Sequence, residues 1–353
     1  MFLLDSHCDT PSQILRLRDL AVDNEYAHVD FPKLHRGGVD GAFFALYTPA
    51  SLSETESYVY ASRLLNGVRR VLKFHKDKAR MATCRSEAYA NKEAGLFSVF
   101  LGLENGAAVG SQIDRLYEFH DAGVRYVTLC HSRDNQICDS CAQGSTWHGL
   151  SPFGKEVIRH MNRMGMLVDV SHISDNSFYE VLATSSRPVV ATHSCCRALA
   201  DHPRNMTDDM IRELAAAGGV IQINFYPLFL DSGFRNVLES SGIMEEGERI
   251  EAEFIADPAS STKRAAWNRV QDKLNALARP SFTRIADHID HAVSLVGIDH
   301  VGIGSDFDGI EVTPKGMENI SMMPVLFDEL RSRGYKESDL DKIASENFFR
   351  LLG

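Results

Sequence analysis

No uninterrupted apolar run among the 353 residues approaches the roughly 18 that suggest a transmembrane helix. Bases are few relative to acids, 37 Lys and Arg against 48 Asp and Glu, for a formal charge of −11. That balance speaks against a nucleic-acid-binding surface or an anionic membrane patch. The N-terminus, MFLLDSHCDT, lacks the basic region, apolar core and small-residue cleavage site of a secretion signal. The 7 cysteines are odd in number and scattered, so no disulfide framework is expected; with the missing signal, they predict reduced thiols in a cytoplasm. There is no G-x-S-x-G, which argues against a serine hydrolase elbow. Gly302-Ile303-Gly304 lacks the third glycine and the helix start of a dinucleotide fingerprint. No internal repeat, low-complexity segment or linker stands out. Composition is ordinary for a globular chain, which excludes disorder, collagen and a small disulfide scaffold.

What recurs is a short apolar run followed by a helical stretch. The runs are residues 2–7, 41–47, 97–103, 124–130, 166–171, 188–193, 219–225 and 300–306. Runs this short and rich in Val, Ile and Phe predict parallel strands buried on both faces. Helices fit the gaps. Ser151-Pro152 is an N-cap followed by proline, with Gly165 as the stop; Ser174 caps 175–184, and Thr207 caps the helix that ends at Gly218-Gly219. Ser338 and Asp341 resemble a capping box for the last helix. Eight alternations predict an α/β fold, a (β/α)8 TIM-type barrel formed by residues 1–353 as a single domain. Between strands 7 and 8 the connection is about twice what one unit needs, and 227–280 reads as a helical insertion over the C-terminal face. Whether it serves the site or is a plain surface helix pair stays open.

Polar residues gather at the ends of these runs: His7 and Asp9, Glu104, His131, His172, His193 and Asp306. A barrel brings all C-terminal strand ends to one mouth. Each residue alone has an ordinary explanation as a turn residue or a satisfied core histidine. Together they are hard to explain as packing, because such groups avoid burial. Histidine and carboxylate without a thiolate pattern favour zinc or a similar first-row metal over calcium. Strand alternation puts His7 and Asp9 on one side and turns Cys8 away. Glu104 suits a carboxylate shared by two metals. Cys138 and Cys141 have thioredoxin-like spacing in a loop context and no second pair, so a redox or structural-metal role is disfavoured. Arg204 reads as a surface ion pair or as a fork for a substrate carboxylate.

The chain resembles the membrane (renal) dipeptidase family of zinc metallopeptidases, which are similar to binuclear members of the amidohydrolase superfamily. The resemblance rests on DSHCDTP (5–11), GLENG (102–106), YVTLCHSRDN (126–135), the segment 149–174, ATHSCCRAL (191–199), HPRNM (202–206) and GIGSDFDG (302–309). It spans nearly the whole chain in order. It implies two divalent ions per chain, zinc foremost, with His7 and Asp9 on the first, Glu104 bridging, and His172 and His193 on the second. It implies that His131 polarises the scissile carbonyl, that Arg204 binds the C-terminal carboxylate, and that Asp306 handles protons. The chain departs from the mammalian members in Asn105 (there glycine), in Ala107 (there histidine), in the 227–280 insertion, and in lacking a signal and lipid anchor.

The resulting expectation is a cytoplasmic metallodipeptidase acting on small dipeptides, those with a C-terminal D-residue included, with no nucleic-acid or membrane partner and a homodimer as the candidate assembly. Two alternatives remain at this stage. One is a metal-dependent amidohydrolase of another amide, lactone or β-lactam. The other is a catalytically silent binding protein, against which the full ligand set argues.

Overall fold

The computed structural model describes residues 1–142 and 145–352. Eight strands follow one another around the sheet: β1 (Leu4–Cys8), β2 (Gly41–Tyr47), β3 (Phe97–Glu104), β4 (Val124–Thr128), β5 (Leu167–Asp169), β6 (Val190–Ser194), β7 (Val220–Ile223) and β8 (Val301–Ile303). Every neighbouring pair is parallel. A short strand, Ala79–Met81, pairs with β3 outside this ring. Just past β8 the chain returns to β1: Asp306 N–H donates to His7 O at 3.0 Å, and Asp9 N–H to Phe307 O at 2.8 Å. The expected TIM-type barrel is therefore present.

The barrel interior is filled from its N-terminal end. Phe43 stacks on Phe100 at 4.8 Å and meets Phe348 at 5.0 Å, so the C-terminal helix Asn347–Leu352 stops the bottom of the barrel. Each such buried aromatic contributes about 1.5–3 kcal/mol relative to exposure. With the bottom packed, open space is left at the C-terminal mouth, where barrel chemistry resides.

Local sequence sets the helices that surround it. Ser151 Oγ accepts from Gly154 N at 2.8 Å, Pro152 opens the helix Pro152–Met164, and Gly165 ends it at φ 73°. Ser174 and Thr207 cap Asp175–Thr184 and Asp208–Ala216 as expected. The last cap differs. The helix Glu337–Asp341 begins two residues earlier than a Ser338 cap allows, and Asp339 Oδ2 accepts from Lys336 N at 3.0 Å. Asp339 alone thus supplies the local acceptor, in place of Ser338 and Asp341.

The insertion is helical, as expected: Pro227–Leu230, Phe234–Ser241, Ile243–Ala256 and Ser261–Asn275. Phe234, Leu238, Phe254, Trp267, Val270 and Leu274 form a core of its own. Arg16, in the turn after the first helix, pairs with Glu251 of the insertion at 2.8 Å and ties it to the barrel mouth.

Candidate active site

The mouth gathers the strand-end residues into one cluster. His7 Nε2 lies 3.2 Å from Glu104 Oε2 and 3.5 Å from Asp9 Oδ2. The other Glu104 oxygen, Oε1, lies 3.2 Å from His172 Nε2, 3.5 Å from His193 Nε2 and 3.7 Å from His131 Nε2. Asp306 Oδ1 stands 4.0 Å from His7 Nε2. Alternation is not what brings Asp9 to His7: β1 stops at Cys8, and Asp9 already has turn geometry at φ −87° and ψ 21°. Cys8 does turn away, onto Asp5 Oδ2 at 3.3 Å. Two of these residues occupy the left-handed region, His172 at φ 72° and Asp306 at φ 65°. Such backbone costs energy for a non-glycine residue and persists where surrounding contacts hold it.

Residues that the sequence did not single out orient the cluster. The buried Tyr126 hydroxyl lies 2.8 Å from His7 Nδ1. That contact fixes the ring so that Nε2 faces Glu104. Tyr126 reaches His7 across Gly102, where a Cβ would collide with the phenol ring. Thr192 Oγ1 holds His193 Nδ1 at 2.8 Å, and Asp169 in turn accepts from Thr192 Oγ1 at 2.7 Å. Asn224 Nδ2 donates to Asp306 Oδ2 at 2.9 Å. A Cβ at Gly309 would fall on Asp9 Oδ2 and Asp306 Oδ1, so glycine there keeps the space beside both carboxylates free. Gly309 stands inside the quoted GIGSDFDG run and Tyr126 opens the quoted YVTLCHSRDN run, but neither Tyr126 nor Asn224 looks in sequence like more than a strand residue.

The electrostatics call for a cation. Burial raises Asp9 to about 6, with the nearby Glu104 charge adding to the rise. Burial likewise raises Asp306 to about 7, opposed by His7 and reinforced by Asp9. Burial disfavours a charged His7, but the adjoining Glu104 and Asp9 reverse this and raise it well above the ordinary value. Burial, with Arg204 nearby, lowers His131 to about 3 and His172 well below 6.5; in His193 the same burial acts with the His7 charge. Neutral His131, His172 and His193 facing crowded carboxylates are the kind of donor set that divalent metals take. His172 Nε2 and His193 Nε2 approach to 2.9 Å, and Asp9 Oδ1, although buried, has no hydrogen-bond partner. Among the described residues, three overlapping donor groups fit an ion by distance: His7, Glu104 and His193; Glu104, His131 and His172; His7, Asp9 and Asp306.

A cavity of about 530 Å³ opens onto this cluster, reaching Asp9, Glu104, His131, His172 and Asp306. Tyr47 packs edge-on against His131 at 4.9 Å between ring centres. Arg204 is no surface ion pair. It is buried beside the histidines, donating from Nη1 to Ser194 Oγ at 2.9 Å and from Nη2 to His193 O at 2.7 Å, while its Nε has no partner. Cys138 and Cys141 are both free thiols, and Cys138 is buried in the hydrophobic core.

The family model described as membrane dipeptidase (peptidase family M19) matches residues 1–353. A dipeptidase of Aspergillus oryzae, aclJ, is 30% identical over 94% of this chain and 71% of its own length. The dipeptidase verJ of Clonostachys rogersoniana is 28% identical over 99% of this chain and 83% of its own. Among solved structures, the probable dipeptidase PvdM of Pseudomonas aeruginosa superposes with a TM-score of 0.82 at 23% identity, covering 100% of this chain and 95% of that one. A metallopeptidase of Rhodobacter sphaeroides, solved with a phosphinate mimic of L-Ala-D-Ala, gives 0.81 at 24% identity, covering 100% and 98%. With a family match over its whole length and a barrel mouth built from imidazoles and carboxylates, the chain belongs to the membrane dipeptidase family, peptidase family M19, and is a metallopeptidase that hydrolyses dipeptides.

Proposed function

We propose that this dipeptidase is binuclear and zinc-loaded, and that it accepts dipeptides with a C-terminal D-residue. The observation that carries the reading is Glu104: its two oxygens face different donor sets, Oε2 toward His7 and Oε1 toward His172 and His193. In this reading His7, Asp9 and Glu104 hold one ion, and Glu104, His172 and His193 hold the other. The bound pair supplies Lewis acidity and lowers the pKa of water toward neutrality. Asp306, with Oδ1 free of Asn224, takes a proton from water and returns it to the leaving amine. His131, neutral well into acid, donates an N–H to the developing oxyanion. Arg204 offers its unpaired Nε–H to the C-terminal carboxylate, which selects dipeptides over longer chains. The Rhodobacter neighbour's L-Ala-D-Ala mimic supports tolerance of a D-residue. Seven free thiols suit a reducing compartment such as the cytoplasm.

The test is metal analysis of the purified protein combined with kinetics on L-Xaa-L-Xaa and L-Xaa-D-Xaa dipeptides. Two ions per chain are expected, with hydrolysis of both series abolished by chelation. Glu104→Gln should loosen both ions; loss of one alone would show that Glu104 does not bridge.

A further inference from the structure

The cavity runs outward from the metal-ligating cluster to a wall shared by the insertion and the loop after β8. Ile255, Trp267 and Gln271 come from the insertion, Ile310 and Glu311 from the loop, and Tyr226 stands with them. Most charges along this route are matched. Arg16 pairs with Glu251 at 2.8 Å, and Arg18 with Asp308 at 3.0 Å. The carboxylates at the inner end face the metal-binding imidazoles. Glu311 is left over. Among the described residues no cation pairs with it: the charges acting on it are Glu251 and Asp306, both acids, and its polar neighbours are its own backbone N–H and the Tyr226 hydroxyl. Burial holds its carboxyl above the usual range. A partly buried carboxylate among like charges is unfavourable unless a cation arrives to pair with it, and the side open to such a cation is the cavity that leads to the catalytic centre.

We propose that Glu311 is a specificity-determining subsite that receives a cationic group of the substrate, ammonium or guanidinium, against the wall formed with Tyr226 and Trp267. The inference rests on the dipeptidase reading of the site. It gives substrate recognition two charges of opposite sign: Arg204, after β6, takes the substrate's negative terminus, and Glu311, after β8, takes its positive charge. That charge has two sources in a dipeptide, the N-terminal α-ammonium and a basic side chain.

Three substrates separate them on the metal-loaded enzyme: L-Lys-L-Ala, L-norleucyl-L-Ala and hexanoyl-L-Ala. The first two differ in the side-chain cation, the last two in the α-ammonium. A charge-assisted contact is expected to make one of these two ratios of kcat/KM roughly 10- to 100-fold in the wild type. Glu311→Gln should collapse that ratio toward one, and Glu311→Lys should invert it, which distinguishes a charge effect from misfolding. Collapse of the lysine-to-norleucine ratio assigns a side-chain subsite; collapse of the norleucine-to-hexanoyl ratio assigns the α-ammonium. Ratios unchanged by both substitutions overturn the proposal while leaving the dipeptidase reading intact. Absence of turnover in the wild type retires that reading instead, and calorimetric binding of the same three compounds to wild type and Glu311→Gln then tests Glu311 by the same ratios.

Discussion

Tyr126 passes in sequence for one more apolar strand residue, yet its hydroxyl sets the tautomer and orientation of His7. Removing that hydroxyl leaves the ring packing intact and frees the imidazole to rotate. Tyr126→Phe is therefore expected to bind metal about 10- to 100-fold more weakly, with an unchanged far-UV spectrum. Competition against a chromophoric chelator measures this, and wild-type affinity would show that packing alone orients His7. Arg204 offers a second test. Lysine keeps the charge but cannot reproduce a guanidinium that serves Ser194, His193 O and a ligand at once. Arg204→Lys should lower kcat/KM for a dipeptide acid by about 10- to 100-fold while changing the matching dipeptide amide far less. Parallel losses on both substrates would remove Arg204 from carboxylate recognition.

Among the elements, the helix Thr283–Val296 shows how the outer layer is locked to the mouth. His288 is buried; its Nδ1 accepts from Cys196 N at 3.1 Å, and its Nε2–H donates to Leu230 O at 3.1 Å. One neutral imidazole thus joins the helix, the segment after β6 and the start of the insertion. Burial lowers it to about 4, partly offset by the Leu230 bond. Between its unfolded value near 6.5 and about 4, the unfolded chain binds a proton that the folded chain refuses. Stability therefore falls as pH drops through that window and levels off below it, by on the order of 3 kcal/mol for this residue. His288→Gln should melt lower at pH 7.5 yet lose less Tm between pH 7 and 4.5 than the wild type. Melting both proteins with saturating metal checks it, since the difference between their slopes removes protonation of the metal ligands. Equal slopes would mean that His288 is not the titrating group.

For the molecule as a whole, the barrel pays for its chemistry with concentrated charge. Asp9, Glu104 and Asp306 converge in a buried mouth whose floor is sealed by Phe43, Phe100 and Phe348. A ligand that binds the folded chain and not the unfolded one stabilises it by mass action, about 4 kcal/mol at a thousand times Kd. Stripping the metal should therefore lower Tm by several degrees, and stoichiometric zinc should restore it. Scanning calorimetry before and after chelation decides the point; an unchanged Tm would show that the folded mouth does not hold the ion.

Much of this architecture is legible in the chain alone, because the signals are local. Short β-branched and aromatic runs declare strands buried on both faces, and Ser151, Ser174 and Thr207 cap their helices through hydrogen bonds that span three residues. The position of His7, Glu104, His193 and their partners at strand ends follows from that register, since a parallel barrel carries every C-terminal end to one side. The Ser338 cap was misplaced because a helix boundary two residues away is beyond what local propensity resolves. Periodicity specifies which face a side chain occupies, not what stands opposite it. The hydroxyl of Tyr126 against His7, the turning of Arg204 onto Ser194 and His193 O, and the unpaired charge of Glu311 beside the insertion arise between segments far apart in the chain. They were decided when the barrel closed, because closure sets which polar groups lose water together and must then find partners within a few ångströms.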